Sequence, residues 1–194
     1  MIIIILPIKK IMRLIKQILI ILILFSSIET VADQRNSELD QLFNELKIDN
    51  TDLTYETEQK IWKIWSTHPT NQKLTNRLNE GTVFVRSRKL TKAVKIYTEV
   101  IEKDPKWAEA WNKRATVLYM MGEYKKSQED IDKVLELEKR HFGALAGQGL
   151  VNIKLENYEK AIDSYERAKE IYPSMKSPKI MIKKIQELIK QELI

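Results

Sequence analysis

Residues 108–141 read AEAWNKRATVLYMMGEYKKSQEDIDKVLELEKRH, and this stretch decides the fold. When the sequence is shifted against itself by 34 residues, the stretch aligns without insertion with residues 74–107 and 142–175. Small residues recur in two columns and large residues in a third, as Gly81, Ala115 and Gly149, then Ala93, Ser127 and Ala161, then Tyr97, Ile131 and Tyr165. The sequence therefore predicts three copies of one structural unit.

Each unit is predicted to be two antiparallel helices joined by a tight turn. The small residues let the two helices approach closely, and the large residues fill the space between successive units. Pro105 and Pro173 end the second helix of the first and third copies, because proline cannot continue a helix that it enters from the N-terminal side.

These columns resemble the tetratricopeptide repeat family. The second copy carries the pattern most fully, with Trp111, Ala115, Gly122, Tyr124, Ser127, Ile131 and Val134. The chain departs from the pattern at Lys139, where a closing proline is usual, and at Arg88 and Glu156, which stand where the second copy has Gly122. The segments 111–116 and 140–145 also resemble exported bacterial proteins of this family whose function is uncharacterised. The resemblance implies an all-α superhelix, a solenoid of antiparallel helix pairs.

Apolar patterns flank the repeats on both sides. Two short amphipathic helices are predicted before them, on Leu39, Leu42, Phe43 and Leu46 and on Ile61, Trp62, Ile64 and Trp65. After Pro178, an apolar stripe with lysines around it predicts a terminal helix that covers the last repeat. The predicted organisation is a leader at 1–32, a degenerate capping helix pair at 33–73, repeats at 74–107, 108–141 and 142–175, and a capping helix at 176–194.

The first residues look like a targeting signal. Residues 1–32 carry four basic side chains and one acidic, which supplies half of the chain's net charge of +6. Arg13 and Lys16 precede the apolar run 18–25, and the segment ends at Ala32 before a polar start. The run is shorter than the roughly 20 residues that span a bilayer. We therefore expect a secretory signal peptide and a periplasmic protein.

An uncleaved anchor is the alternative to that leader. Residues 2–10 add a second apolar patch that a signal does not need, so Met12 is a candidate for the true start. If both patches are retained, residues 1–28 form a membrane tether, and the protein is anchored in the inner membrane facing the periplasm.

Composition argues against catalysis. The chain has no cysteine and two histidines, which excludes a disulfide scaffold, a cysteine-ligated zinc site, a cysteine nucleophile and a lipoprotein anchor. It has no glycine-rich phosphate loop, nucleophile motif or metal-ligand spacing. Asp130 and Asp132 point to different faces of one helix and are predicted to lie on a solvated surface. We expect no enzyme, no catalytic residue, no metal and no cofactor.

The resemblance implies a binding groove on the first helix of each repeat. Its residues are predicted to be Leu78, Thr82, Val85, Arg86, Asn112, Thr116, Tyr119, Met120, Ala146, Leu150, Ile153 and Lys154. Asn112, Thr116 and Tyr119 form the expected centre, where the Asn112 amide can hold a peptide backbone. Family members that clamp a C-terminal carboxylate place Lys and Asn where this chain has Leu78 and Thr82, which disfavours that use.

The remaining aromatic and histidine residues are given structural roles. Trp62 and Trp65 lie one helical turn apart and are predicted to pack against the first repeat. Trp107 follows a proline and is expected to be the exposed tryptophan. His68 and His141 are expected in solvated loops.

The function predicted from these features is a non-catalytic interaction module or scaffold of the bacterial cell envelope. It would bind a peptide or protein partner as a monomer, and export makes nucleic acid a poor partner. The alternative is a protein associated with the membrane surface through an uncleaved anchor and the basic C-terminal helix.

Overall fold

The computed structural model describes residues 12, 16–17, 35, 37–48 and 51–192, and it is all-helical there. The chain divides into two units, Met1–Glu38 and Leu39–Ile194, and the second unit carries the fold. Its helices are α1 (Thr51–Ser66), α2 (Gln72–Arg86), α3 (Leu90–Lys103), α4 (Ala108–Met120), α5 (Tyr124–Leu137), α6 (Phe142–Lys154), α7 (Tyr158–Ile171) and α8 (Lys176–Glu192), and residues 39–45 are also helical. The predicted all-α superhelix is confirmed for this part of the chain. The predicted leader lies outside the described residues, apart from positions 12, 16 and 17.

Three helix hairpins, α2–α3, α4–α5 and α6–α7, form the repeats. Each turn contains one residue in the left-handed region, at Arg88, Gly122 and Glu156, with φ of 58°, 80° and 60°. In each turn the next amide bonds back to a carbonyl five residues earlier, from Lys89 to Phe84, Glu123 to Leu118 and Asn157 to Asn152, over 2.9, 2.9 and 2.8 Å. The turn is thus the same in all three copies, although only Gly122 adopts it without steric cost.

The recurring small residues mark the closest approach of two helices. The ring of Tyr97 lies so near Gly81 that an added Cβ would come within 2.4 Å of it. Tyr165 lies against Gly149 in the same way, at 2.5 Å. Both tyrosines are buried, so neither ring has free space to move into.

Gly149→Ala is therefore expected to destabilise the fold by about 1–3 kcal/mol through overpacking against Tyr165. Gly147→Ala is the matched control on the same helix, because the nearest atom to its added Cβ is Ile131 Cδ1 at 3.7 Å. The control is expected to be neutral or to stabilise by up to about 1 kcal/mol. Urea unfolding followed by circular dichroism measures both, and equal effects of the two substitutions would contradict the packing argument.

A buried ion pair joins the helices of the second repeat. Arg114 donates from Nε and Nη2 to the carboxylate of Asp130 over 2.8 and 2.7 Å, and from Nη1 to Thr98 Oγ1 of the preceding repeat over 3.0 Å. Asp130 is buried. Its predicted place on a solvated face is wrong, because Arg114 on the facing helix supplies the charge that permits burial.

The residues before the repeats lie along the loops that join one repeat to the next. We call residues 39–48 and 51–66 the edge segment. Trp65 stacks on His141 with ring centroids 3.9 Å apart, and its carbonyl accepts a 2.8 Å hydrogen bond from Trp107 Nε1. Tyr172, after the third repeat's last helix, donates its hydroxyl to Glu58 over 3.2 Å. The sequence predicted a pair that packs against the first repeat. Trp107 belongs to that repeat, and the contacts of His141 and Tyr172 extend the edge segment to the second and third repeats.

Burial in the loops beside the edge segment overturns three sequence predictions. Trp107, predicted to be exposed, is only 5% exposed, and His141, predicted to be solvated, is fully buried. The two residues are 34 positions apart and precede helices α4 and α6 in the same register. His68 is also buried, and its Nε2 lies 2.9 Å from Asp104 Oδ2. The 34-residue pattern holds no information on a segment outside it, so this burial was not predicted.

The C-terminal helix α8 packs on the third repeat. Ile185 is buried in a cluster with Ala161 and Tyr165, and Met181, Ile182 and Ile189 of α8 pack against the same cluster. No helix among the described residues is both long enough and apolar enough to cross a membrane.

Candidate partner-binding groove

A cleft opens between helices α4 and α6, the first helices of the second and third repeats. It is a small cleft, with a cavity volume of about 70 Å³. The lining residues are Asn112, Ala115, Thr116, Tyr119, Ser127, Ile131, Gly143, Gly147, Leu150 and Val151. The structure therefore brings together the three residues that formed the centre of the predicted groove, together with Leu150 of the next helix.

The cleft has apolar walls and a few polar groups at its surface. Tyr119 packs against Tyr124 with ring centroids 5.5 Å apart. Thr116 is exposed, and its hydroxyl donates to the Asn112 carbonyl over 3.0 Å. Met120 and Leu150 remain 42% and 38% exposed beside the opening. Exposed apolar side chains next to a small cleft are suited to holding an apolar side chain of a partner.

The other predicted groove residues are divided between core and surface. Leu78 is buried in the core of the first repeat, and Val85 packs against that core, so the prediction that Leu78 lines the groove is wrong. The Thr82 hydroxyl lies 3.2 Å from the hydroxyl of Tyr97. Ile153 packs with Ala146 against the cluster that contains α8. Arg86 and Lys154 are exposed.

A buried charged cluster lies at the end of the cleft that is nearest the edge segment. Glu109 Oε2 lies 3.1 Å from His141 Nε2 and accepts from Asn112 Nδ2 over 2.8 Å. Lys113 Nζ lies 3.1 Å from Glu109 Oε1 as an ion pair, without the alignment of a hydrogen bond. His141 Nδ1 accepts from the Ala144 amide over 3.1 Å. The proton of a neutral His141 is therefore on Nε2, which donates it to Glu109.

The cluster keeps Glu109 ionised although the side chain is fully buried. Burial raises the pKa of this carboxyl, but the His141 hydrogen bond and the Lys113 charge outweigh it and hold the pKa below its ordinary value. Asn112 lines the cleft with little exposed surface, and one N–H of its amide donates to Glu109, so the prediction that this amide holds a partner's backbone stays a prediction. The cluster joins α4 to the start of α6. Within the described ranges, no group of three His, Asp or Glu side chains is placed to hold a metal ion.

Trp62 of the edge segment closes the groove at this end. Its ring lies against Gly143, where an added Cβ would come within 2.5 Å of it, and Lys113 Nζ lies 6.0 Å from the ring centroid. Sequence reasoning did not find this role for Trp62. The available signal was Gly143 itself, a glycine near the start of a helix where the preceding copy has Glu109.

The tetratricopeptide repeat family model matches residues 78–127 and 113–176. The chain belongs to the tetratricopeptide repeat family. A tetratricopeptide repeat-containing protein of Rhizobium etli is 32% identical over 152 residues, which are 74% of this chain and 74% of that protein. The Hsp70-Hsp90 organizing protein 2 of Arabidopsis thaliana is 27% identical over 95 residues, which are 49% of this chain and 17% of that protein. The match to the plant protein is thus confined to a small part of its length.

Solved tetratricopeptide structures share the fold. The first such domain of Spaghetti (RPAP3), bound to the HSP90 peptide SRMEEVD, superposes with a TM-score of 0.60 at 21% identity and covers 61% of this chain and 94% of its own. The second domain of human RPAP3, in complex with the HSP70 peptide SGPTIEEVD, gives 0.55 at 22% identity and covers 57% and 92%.

Proposed function

We propose that this chain is a non-catalytic interaction module that holds a peptide or protein segment on the face formed by α2, α4 and α6. The observation that carries the proposal is the cleft between α4 and α6, with Met120 and Leu150 exposed beside it. An apolar side chain of the partner would enter the cleft, and the adjacent residues of the partner would lie across Thr116. The two tetratricopeptide neighbours that hold chaperone peptides support this class of function, since their fold is the same.

The proposed location is the bacterial cell envelope, with the array in the periplasm as a monomer. The basic residues and apolar run of 1–32 support export. Sequencing the N-terminus of the protein from a periplasmic fraction tests this, and a mature chain that starts at Asp33 is the expected result. Recovery of residues 18–25 in that chain would favour the membrane tether.

A photo-crosslinking side chain at Thr116 is expected to capture a partner in intact cells. The matched control is the same side chain at Glu129, an exposed position on α5 away from the cleft. An excess of protein without the crosslinking side chain should compete for the partner and reduce capture. The Thr116→Arg variant of that competitor should not reduce capture, because the arginine fills the opening of the cleft. Mass spectrometry identifies the captured segment. Equal capture from Thr116 and Glu129 would contradict the proposed groove.

A further inference from the structure

The open part of the groove face carries a row of aligned residues. Arg86, Met120 and Lys154 are successively 34 positions apart, so they occupy the same place at the end of α2, α4 and α6. All three side chains are exposed. Helices in the same register place such residues side by side, which sets an apolar side chain between two cations.

Charges on this face are unevenly balanced. In the registers that line the cleft, in the adjoining register of Met120, and in the corresponding positions of α2, the cations are Arg86, Lys113 and Lys154 and the one carboxylate is Glu109. Glu109 is buried and pairs with Lys113. Arg86 and Lys154 form no ion pair with any residue in the described part of the chain. The exposed part of the face is therefore positively charged.

The adjoining turns do not reverse this balance. Glu123, in the turn after Met120, forms an ion pair with Lys126 at 3.1 Å. Glu156 follows Lys154 by two positions, whereas the corresponding turn of the first repeat has Arg88 and Lys89. The positive charge is thus strongest toward the first repeat.

Trp62 covers Gly143 at the opposite end, whereas Thr116 and Met120 are exposed, so the open part of the face lies over their registers. We infer that the partner segment is acidic, with one apolar side chain flanked by carboxylates. The apolar side chain enters the cleft beside Met120, and the carboxylates reach Arg86 and Lys154. This inference rests on the proposed function and adds the chemistry of the ligand to it.

Panning a random dodecapeptide phage library on the full chain at low salt tests the inference. The enriched peptides are expected to contain an excess of Asp and Glu around an apolar residue. Their affinity for the double variant Arg86→Glu/Lys154→Glu should be roughly tenfold weaker or worse, as the loss and reversal of two surface charge pairs implies. The matched control is Lys95→Glu/Lys125→Glu, which makes the same charge change at exposed positions of α3 and α5. It should change affinity less than about twofold.

Two other results would count against the inference in different ways. In the first, the enriched peptides compete for the cleft and lose binding to the Thr116→Arg variant, but they show no excess of Asp and Glu. That result would overturn the inference and leave the proposed groove intact. In the second, none of the enriched peptides depends on Thr116 for binding. That result would contradict both the proposed groove and its acidic partner.

Discussion

Trp65→Ala is expected to lower the free energy of unfolding by about 3–5 kcal/mol, the range for removing a large buried aromatic side chain. Trp65 is 4% exposed and contacts Phe43, Phe142 and the ring of His141. Its removal opens a cavity between the edge segment and the third repeat. Urea denaturation followed by circular dichroism measures the loss.

Trp111→Ala is the matched control, since Trp111 is half-buried and its indole donates to the Pro105 carbonyl over 2.9 Å. A smaller loss is expected there. The Trp65 variant should also be cut faster by trypsin within α1, which has exposed lysines at positions 60 and 63. A loss below about 1 kcal/mol, the size typical of surface substitutions, would mean that the edge segment is not part of the core.

Glu109→Ala is expected to cost a similar amount, about 3–5 kcal/mol, because it breaks a buried charged cluster and leaves its partners without an acceptor. His141 is fully buried and would lose the acceptor of its Nε2 proton, and Asn112 would lose the acceptor of its amide. Glu109→Gln keeps the shape and one acceptor oxygen, so its cost should be smaller. Thermal and urea unfolding at neutral pH compare the three proteins.

The stability difference between the wild type and Glu109→Gln is also expected to depend on pH, with a sign that the pKa of Glu109 determines. Folding lowers the pKa of Glu109 below its ordinary value of 4.5. A carboxyl with a lowered folded pKa contributes stability above its unfolded pKa and loses that contribution as pH falls through the folded value. The stability difference between the wild type and Glu109→Gln should therefore be constant near neutral pH and shrink below 4.5. A difference that grows on acidification would show that Glu109 is protonated in the fold.

The repeats were predictable because their signal is local and occurs three times. The columns of small residues predicted the close approach of two helices at Gly81 and Gly149. The rings that fill the approach, Tyr97 and Tyr165, were predicted only to pack between successive units. The position of the edge segment could not be predicted, because the residues that it contacts lie far along the chain. Their involvement leaves no mark on the 34-residue pattern. Trp107 and His141 looked like loop residues for this reason, and their burial follows from Trp65.

The candidate site was predicted in part. The resemblance to the family, applied through the 34-residue register, placed Thr116, Tyr119 and Leu150 on one face, and the structure joins them in one cleft. Asn112 also lines the cleft, but one N–H of its amide donates to Glu109, a neighbour on its own helix, which the pattern did not predict. Side-chain pairing of this kind depends on burial by Trp62 and Trp65, which the repeat pattern does not describe.

The edge segment also sets the order in which the fold can be completed. Glu58 bonds to Tyr172 across 114 positions, and Asp40 pairs with Arg140 across 100. An ordinary repeat array gains its stability from neighbouring units and can grow from one end as the chain is synthesised. Here the edge segment is made before the repeats, and its contact surface is incomplete until the third repeat exists. Such distant contacts slow folding and couple the repeats into one cooperative transition, so the array should unfold as a whole instead of fraying repeat by repeat.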